Sequence, residues 1–315
     1  MKTFKKISTL ILTLLLVFCL SGCGSQMLTV QGNFWFEDSS SIPQGFEEVL
    51  TYKVEVASKT PSNSTEVKVE GYYYENTNGT LTTKLQTKIG QKTRYIYTTN
   101  FSFSGSYVTP NETIPFVDTY TTVTEFYNDS YLPIYSEKVY NSELNGSSYK
   151  YRIDYTEDKA SSTVTVYPGK ENEETSTFEM SKYSNGAFID NDLIMLFPRL
   201  YNINNQFVQD FKTIDVLSRK NHNMRYKSVV VEDKVQVMGL NNYSINGAEI
   251  PETEPTISCN HVRISITDDF SGSDIECYYA TDHKTHRHRL VEAYTAIYGG
   301  LGYVKYSLQS AVVND

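Results

Sequence analysis

The chain has 315 residues, with 28 Lys and Arg against 37 Asp and Glu and a formal net charge of −9. An acidic chain is a poor match for nucleic acid, whose phosphates demand clustered Lys and Arg, so no nucleic-acid partner is expected. The 26 Tyr and 15 Phe, together with many Thr and Val, suit a pleated, half-buried surface and point to a β-rich protein.

Lys2, Lys5 and Lys6 precede an apolar run from Ile7 to Leu20, followed by the small residues Ser21 and Gly22. That layout is a secretory signal, and the run is short of the ~20 residues that cross a bilayer. "Leu20-Ser21-Gly22-Cys23" resembles the lipobox of bacterial lipoproteins, which implies cleavage before Cys23 and a diacylglyceryl group on its thiol. Residues 1–22 are therefore expected to be a signal peptide, and Cys23 the lipidation site that makes the membrane a partner. Loss of the three leader lysines would move the charge from −9 to −12. The expected location is extracytoplasmic, anchored by lipid to the bacterial cell membrane. Residues 23–45, Ser-rich and holding Trp35, read as a tether, and 46–315 as a single β-rich domain.

Alternation begins at residue 47. Leu50, Tyr52, Val54 and Val56 share one parity while Thr51, Lys53 and Glu55 take the other, the period-two pattern of a strand with one buried face. Val67, Val69 and Tyr73 repeat it. Further strands are expected near 80–89, 92–103, 117–127, 134–142, 148–156, 161–167, 174–183, 207–217, 224–237, 257–267, 274–281, 288–298 and 302–309. Turn signals separate many of them: "NTNG" at 76–79, "NG" at 145–146, "YPGKE" at 167–171, "SGS" at 271–273 and "GGLG" at 299–302. So many short strands predict a mainly β fold, a curved antiparallel sheet forming an open or half barrel.

One segment departs from alternation. "DNDLIMLFPRLYN" at 190–202 spaces Leu193, Ile194, Phe197, Leu200 and Tyr201 as a helix does, behind the capping types Asp190, Asn191 and Asp192. Pro198 is expected to kink or stop that helix. A short helix against the concave face would present Leu193, Ile194, Phe197 and Tyr201 to a bound apolar ligand. The Asn/Gly/Pro-rich stretch 239–256 and the stretch 104–115 read as insertions without periodicity.

His283, His286 and His288 fall within six residues, and His286 and His288 would share a strand face at a spacing that can chelate zinc or copper. Lys284, Arg287 and Arg289 sit among them and would repel a cation, which favours a solvated basic turn over a metal site. Cys259 and Cys277 would be the remaining thiols besides Cys23. A hairpin pairing Thr267 with Asp274 sets Ile264 opposite Cys277, and it puts Cys259 on the opposite face, against a disulfide. No Gly-x-Ser-x-Gly elbow, phosphate-binding loop, His-Glu-x-x-His or Cys-x-x-Cys motif occurs, so neither an enzyme nor a cofactor is expected.

From about residue 124 to 309, "YLPIYSEKVY" (131–140), "YKYRIDY" (149–155), "IDNDLIMLFPRL" (189–200), "CNHVRISI", "IECYYATDHKTHRHRLVEAY" and "GYVKYSL" resemble the domain-of-unknown-function family 3108, of the lipoprotein-carrier-like (LolA/LolB-type) superfamily. Arg199 fits that pattern, and the two insertions depart from it. The resemblance implies a strongly curved sheet plugged by helices, and a lipid or other apolar ligand in its concavity. The leading expectation is thus a non-enzymatic lipoprotein that binds such a ligand or a cell-envelope protein. A structural or adhesive envelope module and a His-cluster metal-binding protein are the alternatives. Alternation is the same in hollow and filled sheets, so it leaves the cavity itself open.

Overall fold

The computed structural model describes residues 45–315 except 68, 89, 91–92, 128–129, 157–158, 182–186, 201–205, 217–218, 239–243, 250–255, 269–271, 282–286 and 315. The leader, Cys23, Trp35 and the tether up to 44 lie outside the described residues, as do Tyr201, His283 and His286. Among the described residues no helix is long and apolar enough to cross a membrane.

The strands are β1 (Glu47–Ala57), β2 (Tyr73–Lys88), β3 (Arg94–Val108), β4 (Thr113–Tyr127), β5 (Pro133–Ser142), β6 (Ser147–Tyr155), β7 (Lys159–Val166), β8 (Glu174–Ser181), β9 (Ala187–Phe188), β10 (Phe207–Asp215), β11 (Lys220–Met238), β12 (Ser244–Ile245), β13 (Ala248–Glu249), β14 (Thr256–Asp268), β15 (Gly272–Ala280), β16 (Leu290–Ala296) and β17 (Tyr303–Asn314). A 3₁₀ turn at Asn191–Leu193 and a four-residue helix, α1 (Phe197–Leu200), form the short crossing element. The chain starts in the middle of the sheet. From β1 it winds outward through β2 to β8, then resumes at the opposite margin with β9 and β10. From there it winds back through β11, β14, β15 and β16 to β17, which pairs with the other side of β1. All pairings of the long strands are antiparallel. β9 and β12 add short parallel pairings to β10 and β17.

This winding explains the crossing segment. β9 pairs in parallel with β10, and a parallel pair cannot be joined by a hairpin, so the chain between them crosses over, its described residues 189–200 lying over the concave side. Ile189, Leu193, Ile194, Leu196 and Phe197 are buried there. Backbone carbonyls carried inside need donors: Tyr226 donates from its hydroxyl to Ile194 O at 3.4 Å, and Tyr279 to Met195 O at 2.6 Å. The margins do not pair as strands among the described residues. They meet through side chains instead, with Ile153, Tyr155, Ala160 and Val164 packed in one cluster with Phe188 and Val216. The sheet is therefore an open barrel, mainly β and antiparallel as the alternation predicts.

Several local expectations change. Pro198 lies in the first turn of α1, where its missing amide hydrogen has no intrahelical acceptor to lose, so it begins the helix instead of stopping it. Among the described residues of 67–72 there is no strand, only a bridge between Val69 and Tyr72. "NTNG" is a bulge inside β2 and not a turn: Asn76 takes a left-handed φ of 51° and the register slips between Glu75 and Asn78. The stretch 104–115 is no insertion without periodicity but the tip of the β3–β4 hairpin, paired through Val108 and Thr113. In the β14–β15 hairpin Thr267 faces Gly272, and Ile264 faces Ile275. The tighter turn shifts the expected register by two residues, which keeps every side chain on its face. Cys259 and Cys277 are both buried and free.

Gly79 marks a close approach within the β2–β3 pair. A Cβ there would stand 2.6 Å from Ser102 O and 2.9 Å from the Phe103 ring. Gly79→Ala is expected to lower stability by about 1–3 kcal/mol, the usual cost of overpacking, measured as a lower urea midpoint at unchanged slope.

Candidate functional site

The inner face is read most directly as rows of cross-strand partners. One row runs Leu308, Tyr52, Leu81, Phe101, Tyr120, Tyr140, Tyr149, one residue from each of β17 and β1 to β6. The next, two residues along, runs Leu50, Thr83, Thr99, Thr122, Lys138, Tyr151. The third runs Glu48, Leu85, Tyr97, Thr124, Ser136, Ile153. Directly opposed side chains touch, so the first row becomes an aromatic ladder: Tyr120 meets Tyr140 edge-on at 6.4 Å, and Tyr140 stacks on Tyr149 at 4.9 Å. Tyr149 then stacks on Tyr151 at 5.9 Å.

Between this face and the crossing segment lies a cavity of about 420 Å³. Six tyrosines line it: Tyr97, Tyr120, Tyr140, Tyr149, Tyr151 and Tyr306. Leu81, Phe101 and Met195 supply an apolar flank, and Asp192 a carboxylate. Burial pushes the Tyr97 and Tyr306 hydroxyls up to about 12, and those of Tyr120 and Tyr151 higher, so all four stay protonated donors at neutral pH.

Beneath the ladder Lys138 is held between two carboxylates, its ammonium 2.6 Å from Asp190 and 3.1 Å from Asp192. Tyr155 donates to Asp190 at 3.1 Å, while Tyr120 and Thr124 donate to Asp192 at 3.1 and 3.3 Å. The two carboxylates differ. Burial raises the Asp190 carboxyl, but the Lys138 charge and hydrogen bond outweigh it and hold it below the ordinary range. Burial likewise raises the Asp192 carboxyl, and a lysine already engaged with Asp190 does not bring it back, so it stays above the ordinary range. Asp190 also caps the 3₁₀ turn, accepting from the Asp192 amide at 3.0 Å.

A second buried charge group neighbours the first. Glu48 accepts from Arg199 and Arg289, each at 2.7 Å. Burial works to raise its carboxyl, and the two guanidiniums override it and lower it. Arg199 also donates to Arg287 O at 3.3 Å, tying α1 to the basic turn before β16. In that turn His288 has Nδ1 2.9 Å from Ala280 O. No group of three His, Cys, Asp or Glu that could hold a metal ion occurs among the described residues.

Of the residues proposed to face a ligand, Leu193, Ile194 and Phe197 are buried on the crossing segment, but the cavity is lined instead by its neighbours Asn191, Asp192 and Met195. Phe197 packs into its own aromatic cluster with Phe211 and Tyr226, at 5.7 and 5.6 Å. Sequence reading missed Lys138, Glu48 and the tyrosine ladder. A signal for the first two was present: Glu48 shares the inward parity of Leu50, Tyr52 and Val54, and Lys138 that of Ser136 and Tyr140. Asp190 and Asp192 were legible as a helix start only.

A scan of protein-family models finds no match to the chain, and a search of curated proteins finds none either. Among solved structures the chain is similar to a beta-barrel-like protein of the domain of unknown function DUF1849 from Brucella abortus. The TM-score is 0.50 at 10% identity, over 85% of this chain and 98% of that one. The likeness is one of fold alone, a β-barrel-like arrangement of mainly antiparallel strands.

The buried triad makes two unequal predictions. Lys138→Met strands two buried carboxylates and is expected to cost ~3–5 kcal/mol. Asp192→Asn removes the surplus charge but keeps one acceptor oxygen where Oδ1 takes Tyr120 and Oδ2 takes Thr124 and Lys138, so it is expected to cost less, about 1–3 kcal/mol at pH 7. Asp192 is raised in the fold, so the native state holds its proton longer than the unfolded chain. Stability it contributes at low pH is lost as pH rises from about 3.9 through the folded value. Asp190 and Glu48 are lowered and contribute the reverse, a gain present above about pH 4 and lost on acidification. Urea titrations across pH 3–8 should show Asp192→Asn losing the decline and keeping the gain.

Proposed function

We propose that the protein is an exported, lipid-anchored lipoprotein that binds an apolar or amphiphilic small molecule in the concavity of its sheet and acts by binding, not by turnover. The observation that carries this reading is the cavity of about 420 Å³ against the inner face, a size within the range of about 300–1,000 Å³ usual for small-molecule sites. Its mixed lining, aromatic and aliphatic with a few placed polar groups, is of the kind such sites use. The resemblance to the domain-of-unknown-function family 3108 and to lipoprotein carriers belongs to the same proposal, supported by the curved sheet and by Arg199, whose guanidinium anchors the crossing segment to β1 through Glu48. Anchoring rests on the leader and on Cys23. Two acyl chains hold a protein stably on a membrane, and one does so only marginally.

A structural or adhesive role is the second reading. Val69, Tyr72 and Tyr73 favour it, being large apolar side chains exposed within five positions of the chain.

Two measurements test the proposal. Cys23→Ser is expected to move the protein from the membrane fraction to the soluble one and to abolish incorporation of labelled palmitate. An unchanged distribution removes the anchor. Native mass spectrometry of the protein purified from its cell envelope is expected to show added mass, and lipid extracts to raise its melting temperature. No added mass and no shift would leave the adhesive reading in its place.

A further inference from the structure

On the convex side of the sheet one buried pair keeps its polar atoms unused. His261 on β14 and Glu276 and Tyr278 on β15 point outward, since Tyr279, the next residue along, reaches inward to Met195 O. The His261 ring, 3% exposed, stacks on Tyr278 at 4.7 Å and 10°. Its Nε2 lies 3.8 Å from Glu276 Oε2, too far for a hydrogen bond. Both atoms are shut off from solvent, and neither has a hydrogen bond among the described residues. A native fold seldom leaves such groups orphaned without a use for them. The other carboxylate oxygen, Glu276 Oε1, is engaged: it accepts from Ser62 in the strap that leaves β1. That strap, residues 58–67, is closed at its base by Val67 N donating to Ser58 O at 2.8 Å. Reciprocal Thr60–Asn63 backbone bonds at 3.2 Å turn its tip, and Thr60 is buried.

Burial holds the His261 imidazole below its ordinary value against the pull of Glu276, so the site keeps it neutral at pH 7. A proton gives the ring a second N–H and a charge, and Glu276 is the carboxylate within reach. Glu292 on β16, opposite Tyr278, is already held by Tyr294 at 2.6 Å and Lys305 at 3.1 Å. Glu232, across from His261 on β11, attracts the proton, and Arg263 on its own strand repels it. A charge-assisted bond closes to about 2.7–2.9 Å, so the Glu276 carboxylate has roughly an ångström to travel, and in travelling it turns its other oxygen away from Ser62. We propose that His261 and Glu276 form an acid-triggered latch: at neutral pH Glu276 holds the strap through Ser62, and a proton on His261 draws the carboxylate across and lets the strap lift from β15. The imidazole is lowered in the fold, so the stability it contributes is present above about pH 6.5 and lost as pH falls through the folded value. Lifting the strap admits water to the new charge and confines that loss to one loop. The latch does not depend on the cavity or on what it binds.

The test places a nitroxide on the strap through Ser64→Cys in the full chain carrying Cys19→Ser and Cys23→Ser. Cys259 and Cys277 are buried, and burial pushes their thiols up, Cys277 to about 12 and Cys259 higher, so they stay unlabelled. Electron paramagnetic resonance is expected to show an ordered label at about pH 8 and a mobile one at about pH 5. The midpoint should fall below about 6.5 and coincide with the titration of the His261 ring followed by NMR. His261→Gln should keep the label ordered across that range, and Ser62→Ala should leave it mobile at both ends. A label that stays ordered while His261 titrates overturns the latch, as does a transition that survives His261→Gln. A control label at the exposed Glu171, introduced by Glu171→Cys, is expected to stay unchanged; one that loosens in step marks global acid unfolding and overturns the latch too. Should a variant fail to fold, the midpoints of the strap and of His261 decide alone: coincidence supports the latch, and separate midpoints overturn it.

Discussion

The parallel neighbours β9 and β10 have to be joined by a segment that crosses the concave face of the sheet, and the rest of the interior is arranged around that necessity. The chain between them cannot turn back as a hairpin, and its described residues 189–200 lie across the concave face. A crossing segment brings backbone polar groups into a place where strands offer none of their own. Tyr226 and Tyr279 reach down from the inner face to supply donors, which is a use for tyrosine that phenylalanine cannot fill. The abundance of tyrosine in this chain thus has two structural outlets: hydroxyls for the crossing backbone, and rings for the ladder beneath the cavity.

The same segment brings charge inside. Asp190 and Asp192 come from it to meet Lys138, and Arg199 comes from it to meet Glu48. Buried ions contribute little net stability when paired and cost several kcal/mol when a partner is lost. Their effect here is to specify where the segment lies: a crossing displaced by one turn would leave Lys138 buried without its carboxylates and Glu48 with Arg289 but not Arg199. The two groups carry opposite surpluses, two carboxylates to one lysine and two arginines to one glutamate. The acidic surplus is the one that borders the larger space.

Strand positions were legible because the information is local. Alternation of Leu50, Tyr52 and Val54 against Thr51 and Lys53 needs no knowledge of partners, and turns such as those at Gly146, Gly169 and Gly299 are set by the left-handed φ that glycine tolerates. Asn76 shows the limit. An asparagine-glycine cluster marks left-handed backbone wherever it falls, and whether that yields a turn or a bulge depends on whether the strand across from it continues. β3 does continue, so the chain bulges and carries on. Pro198 shows another: its ring clashes with the carbonyl four residues back, which stops a helix from running through 194–198 but leaves the short helix Phe197–Leu200 free to start there, although the residues space like one continuous helix.

Sequence alone determined the strand periodicity, most turns, and the position of the segment at 190–200 that departs from β. Tertiary structure decided which inward residues meet. Lys138 and Asp190 are separated by 52 positions, and Glu48 and Arg289 by 241. Each pair is adjacent only because register and winding order bring it together. A single-residue shift in any intervening strand would turn those side chains to the other face. The cavity has the same origin. Inward tyrosines and threonines follow from parity, but the space between them and the crossing segment is set by how strongly the sheet curves and how far its margins stand apart, which no local pattern encodes.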